Sequence, residues 1–509
     1  MKRTKRSLTA LLALLLALLL PLAAGAAGTS YTLTLYNSGD TTHTFEVYQI
    51  FTGDLSVNGS GQKVLSNIVW GSGVSATGQA ALGSAMDKAE TLTTEAAAKA
   101  FAHSLVSGNY LTGAVTRVVA AGASEALSGL APGYYLIKDQ DGTQSGEGSA
   151  YTAYMLEVVG DVTASAKVST PTVEKKVQDI NDSADADISD NAWQDSADHD
   201  IGDAVPYQIK GTLPGNFAEY GSYFYQFTDE MSAGLTYQAD ARVFVLNGAT
   251  ETEITSQAVI TPTAATPGAT LTVSIADLKS LSGVTLDASS EIIVRYTALL
   301  NGNAVHGVAG NPNSVYLSYS NDPNPGGTGT GRTPTDKTVV FTYQLIVDKA
   351  DENGDPLTGA GFSLYKQDSA GVWQLVRTFT AGSDTRFTFT GLDDGNYKLV
   401  ESTVPEGYNK FEDVEFSITA THDANAANPT LTSLNGATAD AQVIMLCGTQ
   451  EASVSLSSGA VASVITNRAG SILPSTGGVG TKLFYAGGSI LALGAGVLLI
   501  AKRRAKAEE

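Results

Sequence analysis

The feature that most constrains the fold is a series of short segments in which apolar and polar residues alternate. Tyr31–Tyr36, Thr44–Ile50 and Phe341–Lys349 are examples, and glycine, proline, asparagine or aspartate separates such segments. Alternation with a period of two places one face of a strand against a core, while these bounding residues favour turns. The sequence therefore predicts an all-β protein made of tandem β-sandwich domains.

The length of 509 residues suggests about three domains between the two chain ends. An alanine-rich stretch over residues 80–105 has apolar residues at helical spacing, so it predicts a helical insertion in the first domain. Residues 321–334 are rich in glycine and proline and are typical of a linker. The predicted divisions are a signal peptide at 1–26, a first domain at 27–166, a second at 167–321, a linker at 322–336, a third domain at 337–469 and a tail at 470–509.

Both ends of the chain carry membrane-directed signals. Basic residues precede the apolar run Leu8–Leu20, and the A-x-A sequence that ends at Ala26 is typical of a signal peptide cleavage site. Near the other end, Leu483–Ala501 contains no charged residue and is long enough for a transmembrane helix, and basic residues follow it. An ordinary single-span anchor is the alternative interpretation of this tail.

The residues before this apolar run form a recognisable pentapeptide, Leu473-Pro474-Ser475-Thr476-Gly477. With the apolar helix and the basic end, it resembles the LPxTG sorting signal of Gram-positive surface proteins. The resemblance implies that sortase cleaves between Thr476 and Gly477 and that the protein is attached to peptidoglycan. The expected location is therefore the outer surface of the cell wall.

Charge and cysteine content restrict the partners and the covalent chemistry. The net charge of −21 argues against nucleic acid as a partner, because no basic surface is available to neutralise phosphates. Cys447 is the single cysteine, so no disulfide can form within the chain. Any covalent reinforcement of this exported protein must have another origin.

Three polar residues of the third domain occupy positions that should face its core. Lys349, Glu401 and Asn467 each share strand parity with apolar neighbours, namely Leu345, Val347, Tyr397, Leu399 and Ile465. Burial favours a neutral amine and a protonated acid. A neutral amine can attack the asparagine amide while the acid moves the proton to the leaving ammonia. The product would be a Lys–Asn isopeptide bond, formed without a cofactor.

The third domain also resembles the B-type repeat domains of collagen adhesins and sortase-assembled pilins. The matching segments are Val347–Lys349, Gly359–Tyr365 and Tyr397–Tyr408, the last of which is similar to the pilin E-box with Ser402 and Val404 as departures. The resemblance implies an immunoglobulin-like sandwich in which Lys349, Glu401 and Asn467 are the bond-forming set. An unreacted buried ion pair is the alternative.

The second domain resembles the A-type pilin domain. The matching segments are 171–177, 202–205, 227–229 and 313–323. The resemblance makes Lys175 the nucleophile, Asn313 the electrophile and Asp229 the proton relay. On the residues alone, Lys176 is a rival for Lys175, and Asn311 and Asn321 are rivals for Asn313.

The first domain contains no lysine on its opening strand, so we predict no bond there. Its segment Gly129–Asp139 is similar to Gly391–Glu401, which suggests that the first and third domains are related and that Asp139 stands where Glu401 stands. Lys167 lies between the first two domains, where pilins place the lysine that joins one subunit to the next. Ser165 and Ala166 replace the usual Tyr-Pro before it, and an ordinary linker lysine is the alternative.

These observations favour a structural protein over an enzyme. No G-x-S-x-G elbow occurs, and the histidines show no metal-ligand spacing, so neither a metal nor a cofactor is expected; they are His43, His103, His199, His306 and His422. The resemblance implies the shaft subunit of a covalently polymerised pilus, whose partners are sortase, identical pilin subunits, peptidoglycan, other pilins and a host surface ligand. A monomeric wall-anchored adhesin is the alternative.

Overall fold

A computed structural model describes residues 30–471 and 479–505, with the exception of 62, 153, 159, 167, 182 and 184–191. Most of the described residues lie in β-strands, which form tandem domains with several sheets each. The predicted all-β fold with a helical insertion near the start is confirmed. The signal peptide, Lys167 and the pentapeptide Leu473–Gly477 lie outside the described residues.

The first domain contains two sheets and a group of helices. One sheet has the strand order β5-β1-β8, and the other has the order β3-β2-β6-β7 with β4 also paired to β2. Its strands are β1 Tyr31–Tyr36, β2 His43–Val57, β3 Lys63–Trp70, β4 Val115–Val119, β5 Ser124–Leu130, β6 Gly133–Asp139, β7 Met155–Val158 and β8 Val162–Ser165.

The predicted helical insertion is present as three short helices, which are α1 Ala76–Leu82, α2 Ala85–Glu90 and α3 Glu95–Ser107. A hydroxyl side chain caps the start of each helix by accepting a backbone N–H, and the capping residues are Ser75, Ser84 and Thr94. Phe101 of α3 stacks on Phe51 of β2, with 5.6 Å between the ring centroids. The helices therefore cover one face of the β3-β2-β6-β7 sheet.

The second domain is a sandwich of two large sheets around one core. One sheet has the order β10-β9-β12-β20-β14-β18 with β15 and β16 attached, and the other has the order β11-β23-β21-β13-β19-β17 with β22 attached. Its strands are β9 Val173–Gln178, β10 Trp193–Gln194, β11 Ser196–Asp198, β12 Ala204–Thr212, β13 Tyr225–Met231, β14 Leu235–Tyr237, β15 Arg242–Asn247, β16 Thr250–Glu253, β17 Val259–Thr261, β18 Thr266–Pro267, β19 Thr270–Ile275, β20 Glu291–Leu300, β21 Asn311–Ser320, β22 Thr330–Arg332 and β23 Asp336–Phe341.

The segment predicted as a linker between the second and third domains differs from that prediction. Strand β22 lies within residues 322–336 and pairs with β21, and β23 pairs with both β21 and β11 of the second domain. Glycine and proline are frequent in this segment, but Asn324 and Thr333 within it are buried, as are Thr338–Phe341 directly after it. Burial of these side chains extends the second sandwich to the edge of the third.

The third domain is a sandwich of a five-stranded sheet, β27-β24-β34-β33-β32, and a four-stranded sheet, β26-β25-β28-β29, with a β30-β31 hairpin. The first strand β24 and the last strand β34 are parallel neighbours. Its strands are β24 Tyr343–Ala350, β25 Gly361–Gln367, β26 Trp373–Phe379, β27 Arg386–Leu392, β28 Gly395–Thr403, β29 Val414–Ile418, β30 Ala420–His422, β31 Leu431–Leu434, β32 Gln442–Cys447, β33 Gln450–Ser455 and β34 Ala460–Thr466.

The second and third domains meet through a close backbone contact. Gly307 and Gly459 have φ angles of +74° and +61°, a region that favours glycine. A Cβ atom on Gly307 would lie 2.3 Å from the nitrogen of Gly459. Val308 donates a backbone hydrogen bond to Leu456 across the same contact, at 3.0 Å. The junction is therefore a packed interface.

The described chain ends in helix α4, Val479–Ala505. Its segment Leu483–Ile500 is long and apolar enough to cross a membrane. The side chains described in that segment are almost all exposed, including Phe484 and Tyr485. An exposed apolar helix of this length agrees with the predicted membrane-spanning tail.

Candidate isopeptide-forming sites

The predicted site of the second domain is assembled across the two sheets of the sandwich. Lys175 on β9 comes from one sheet, while Asp229 on β13 and Asn313 on β21 come from the other, and all three are fully buried. Lys175 Nζ donates a hydrogen bond to Asp229 Oδ2 at 2.7 Å. The structure therefore brings the predicted amine and the predicted acid into direct contact.

A fourth residue, Tyr296 on β20, joins this set. Its hydroxyl accepts hydrogen bonds from Lys175 Nζ at 2.7 Å and from Asn313 Nδ2 at 2.8 Å, and it donates to Asp229 Oδ2. The amine and the amide thus share one neighbour. Sequence reasoning missed Tyr296, although it shares strand parity with the buried residues Val294 and Ala298.

Burial sets the protonation states in this site. Loss of hydration lowers the pKa of the Lys175 amine, although the charge of Asp229 opposes the change. Loss of hydration also raises the pKa of Asp229, against the opposing effect of Lys175. Both directions favour the neutral amine and the protonated acid. The rings of Tyr207 and Tyr296 lie 4.9 and 5.1 Å from Lys175 Nζ and keep it from water.

The rival residues of the second domain have other partners. Lys176 points to the opposite face of β9 and forms ion pairs with Asp195 and Glu174. Asn311 donates to the backbone carbonyls of Val305 and Val340, and Asn321 donates to those of Gln144 and Ser149. In contrast, Asn313 Nδ2 donates to the Tyr296 hydroxyl, which also accepts a hydrogen bond from Lys175. The geometry thus favours Lys175 over Lys176 and Asn313 over the other asparagines.

The predicted site of the third domain lies on two neighbouring parallel strands. Lys349 on β24 is in register with Ile465 on β34, and Asn467 follows two residues later. Glu401 on β28 reaches the site from the opposite sheet, and its Oε1 accepts a hydrogen bond from Asn467 Nδ2 at 2.7 Å. All three side chains are at least 98% buried.

The polar groups of the third-domain site do not all have hydrogen-bond partners. Lys349 Nζ donates to the carbonyls of Ala350 and Ile465, at 3.2 and 3.0 Å, and makes no recorded hydrogen bond to Glu401. Asn467 Oδ1 is buried without a hydrogen bond. Burial lowers the pKa of Lys349, with Glu401 acting in the opposite direction. The buried amine is therefore shifted toward its neutral, nucleophilic form.

The first domain has the same strand arrangement without the reactive side chains. Leu35 on β1 is in register with Ala164 on the parallel strand β8, and Ala166 N donates to Tyr36 O at 2.9 Å. In the third domain, Asn467 N donates to Ala350 O at 3.0 Å. Leu35 and Ala166 thus stand where Lys349 and Asn467 stand in the third domain. An aliphatic pair of this kind cannot form an amide cross-link.

The acid of the third domain also has a counterpart in the first. The Tyr135 hydroxyl donates to the carbonyl four residues earlier, as the Tyr397 hydroxyl does, which aligns Asp139 with Glu401. Asp139 pairs with the buried His43 at 2.8 Å and accepts the Thr152 N–H. His43 is therefore a packing residue with a specific partner. The Asp139 carboxylate is paired with this histidine rather than with a reactive lysine amine.

Sequence comparisons place these domains in a family context. A family described as a Gram-positive pilin backbone subunit 2, Cna-B-like domain matches residues 201–323, and a prealbumin-like fold domain family matches 343–430. The LPXTG cell wall anchor motif matches residues 471–508. Together these matches support a Gram-positive backbone pilin.

Individual proteins are also similar to this chain. The pilin is 27% identical over 393 residues to the trypsin-resistant surface T6 protein of Streptococcus pyogenes serotype M6, a match that covers 67% of this chain and 70% of that protein. Its fold is similar to that of the T6 backbone pilin of the same serotype, with a TM-score of 0.56, 19% identity and coverage of 87% of this chain and 99% of that one. A full-length major pilin of Corynebacterium diphtheriae gives a TM-score of 0.48 at 20% identity, over 87% of this chain and 98% of that one.

The pilin is accordingly a cell-wall-anchored surface protein and a subunit of a pilus shaft. Its family is structural, in agreement with the expectation that it is not an enzyme. The A-type and B-type labels, the bond-forming residues and the polymerisation lysine are not defined by these matches.

Proposed function

We propose that this backbone pilin forms two internal isopeptide bonds and is polymerised through a third amide bond made by sortase. The internal bonds join Lys175 to Asn313 and Lys349 to Asn467. The observation that carries this proposal is the burial of a lysine, an asparagine and an acid together at each of two separate places. Three buried polar groups of these types at each place would be costly if they had no role.

In the third domain, the neutral amine of Lys349 attacks Asn467 Cγ. The bond from Cγ to Nδ2 breaks, and ammonia leaves with a proton that originated on the amine. Glu401 Oε1 lies 2.7 Å from that nitrogen, so this acid is placed to carry the proton to the leaving group. Because both strands are fixed as neighbours, the reaction gains the advantage of an intramolecular encounter.

In the second domain, the proton follows a longer path. Asp229 contacts both the Lys175 amine and the Tyr296 hydroxyl, and Tyr296 contacts Asn313 Nδ2. The protonated Asp229 therefore gives its proton to the Tyr296 hydroxyl, which passes one to the departing ammonia, and Asp229 then takes the proton that the Lys175 nitrogen loses. The two domains thus use the same reaction with different proton relays.

Polymerisation uses the two ends of the pilin. Sortase cleaves between Thr476 and Gly477, and the amine of Lys167 on the next subunit attacks the resulting acyl enzyme. Peptidoglycan serves as the final acceptor for the assembled shaft. The matched LPXTG anchor and the pilin backbone domains support this sequence of events.

The experiment that tests the internal bonds is the intact mass of the mature pilin. The expected mass is lower than the sequence mass by two molecules of ammonia. Asp229→Ala and Glu401→Ala should each restore one ammonia, and the double variant should restore both. Glu230→Gln is a matched control, because Glu230 lies next to Asp229 but faces solvent. A wild-type mass with no ammonia lost would contradict the proposal.

Polymerisation has a separate test. Immunoblots of wall extracts should show a ladder of high-mass polymers, and Lys167→Ala should remove the ladder without altering the intact-mass result. Tandem mass spectrometry of the polymer should find Thr476 joined to Lys167. A single wall-anchored band in the wild type would instead favour a monomeric adhesin.

A further inference from the structure

A group of buried acidic residues occupies the interface between the second and third domains. Asp198 ends β11 of the second domain, while Asp393 and Asp394 lie in the turn between β27 and β28 of the third. One carboxylate oxygen of each lies within 4.8 Å of those of the other two. Asp393 is fully buried and Asp198 is 97% buried. Three carboxylates at this separation repel one another unless positive charge lies among them.

The cations recorded here do not balance the acids. Lys366 pairs with Asp200 and with Asp393, and His422 pairs with Asp179 and Asp198. His199 forms a further ion pair with Asp203. Among the described residues, one lysine and two histidines thus face six carboxylates, namely Asp179, Asp198, Asp200, Asp203, Asp393 and Asp394. The interface therefore carries an excess of formal negative charge.

The hydrogen bonds of His422 fix its orientation. The Ser196 hydroxyl donates its hydrogen to the carbonyl of Asp423, so it must accept from His422 Nδ1, which lies 2.8 Å away. His422 Nε2 then faces Asp179 and Asp198. His422 is thus held with Nε2 beside Asp198 Oδ1.

The other oxygen of Asp198 has no such partner. Asp198 Oδ2 is buried and makes no hydrogen bond of ordinary geometry. The hydroxyl of Tyr343 lies beside the same carboxylate. A buried oxygen without a hydrogen bond, next to two further carboxylates, is a ligand set that lacks its cation.

The backbone holds the other two carboxylates in place. The Tyr397 hydroxyl donates to Asp393 O at 2.8 Å, and Asp393 N donates to Asp200 Oδ1 at 2.8 Å across the interface. Asp394 N donates to Asp393 Oδ1 at 2.7 Å. Asn181 of the second domain donates its amide to Asp394. The arrangement is thus preformed by contacts from both domains.

We propose that Asp198, Asp393 and Asp394 bind one divalent cation, of the Ca²⁺ class, which ties the second domain to the third. Three carboxylates with no thiolate or imidazole favour a hard ion that prefers oxygen. Extracellular proteins bind Ca²⁺ with dissociation constants of about 10⁻⁴–10⁻³ M, a range suited to a wall protein. The residues come from distant segments, so sequence spacing could not reveal the site.

The test is calorimetric titration of the mature pilin with Ca²⁺ after treatment with a chelator. The expected result is one ion per chain with a dissociation constant of about 10⁻⁴–10⁻³ M. Asp394→Asn should remove this binding, and Asp355→Asn should retain it, because Asp355 is exposed on a turn of the same domain. The proposal would be overturned if no heat of binding were measured at a Ca²⁺ concentration ten times the upper end of that range. Unchanged Ca²⁺ binding in Asp394→Asn would overturn it as well.

Thermal unfolding provides a second, independent measurement. Without Ca²⁺, Asp394→Asn should melt at or above the temperature of the wild type, because the substitution removes a repelling charge. With saturating Ca²⁺ the order should reverse, because the ion stabilises only the folded wild type. If the order is the same in both conditions, the site does not exist. The intact mass of the same samples shows whether the isopeptide bonds have formed. The result for the Ca²⁺ site can therefore be judged independently of those bonds.

Discussion

The second and third domains place the same three reactants in different parts of a β-sandwich. In the third domain, the amine and the amide lie on adjacent parallel strands of one sheet, at the beginning and the end of the domain. In the second domain, Lys175 and Asn313 lie on facing sheets, and Asn313 is near the start of β21. The comparison shows that a dry core and a local acid are the common requirement, while strand adjacency is not.

This difference has a mechanical consequence. A Lys349–Asn467 bond would bypass almost the whole third domain, because Asn467 lies directly after its last strand. A Lys175–Asn313 bond would leave β21, β22 and β23 beyond the cross-link, between Asn313 and Lys349. The two bonds should therefore protect their domains to different extents.

The largest expected effect is on extension under force. A wild-type pilin held at Lys167 and Thr476, so that the first domain lies outside the load path, should show no unfolding step from the third domain. The 35 residues between Asn313 and Lys349 should give one step of at most about 130 Å, because an extended residue spans about 3.3–3.6 Å. Asn467→Ala should add a step several times longer. A step of that length in the wild type would contradict the proposed bond in the third domain.

The next effect is on thermodynamic stability. Asn313→Ala and Asn467→Ala each open a closed loop of more than a hundred residues. By analogy with disulfides, each should lower the free energy of unfolding by about 4–5 kcal/mol, since the loops are similar in length. Denaturant titration of each variant measures this change. A much smaller loss at one site would mean that its bond is strained or incompletely formed.

A smaller effect separates the two proton relays. Tyr296→Phe removes the hydroxyl shared by Lys175, Asp229 and Asn313, so bond formation in the second domain should slow by about 10²–10³-fold, the usual result of losing one placed donor. The third domain should react at its normal rate in the same molecule. The measurement is the time course of ammonia loss after refolding, resolved by peptide mass. Equal rates in wild type and variant would exclude Tyr296 from the relay.

The smallest effect is a pH dependence of the unreacted second domain. In Asn313→Ala, the buried Lys175 keeps a pKa below the usual 10.5, so the unfolded chain binds more protons than the folded chain between those two values. Stability should therefore rise with pH in this window, by at most about 1.4 kcal/mol per pH unit. Denaturant titration between about pH 8 and pH 10 measures it. Lys175→Met in the same background is the control and should lack the rise.

Much of the architecture followed from the sequence because alternation directly reports which side chains face a core. The same alternation placed Lys349, Glu401 and Asn467 inside, and the structure brings Glu401 into contact with Asn467. The helical insertion was predicted for the same reason, since its apolar spacing is helical. Local periodicity is thus sufficient for residues whose environment is set by their own strand.

Features that depend on pairing between distant segments could not be predicted. Tyr296 was identified as part of a strand, but nothing local shows that its hydroxyl reaches Asp229. Residues 322–336 have the composition of a linker, yet β22 and β23 pair with β21. The buried acids at the domain interface were missed for the same reason, because Asp198 and Asp393 are almost 200 residues apart.

The backbone contact between Gly307 and Gly459 has a consequence for how this protein can vary over evolution. A methyl group on either residue would strike the main chain of the other domain, and a main chain cannot be made smaller to accommodate it. A change at one glycine therefore has no compensating change at the other. Although they are separated by about 150 positions and lie in different domains, the two residues should be inherited as a pair.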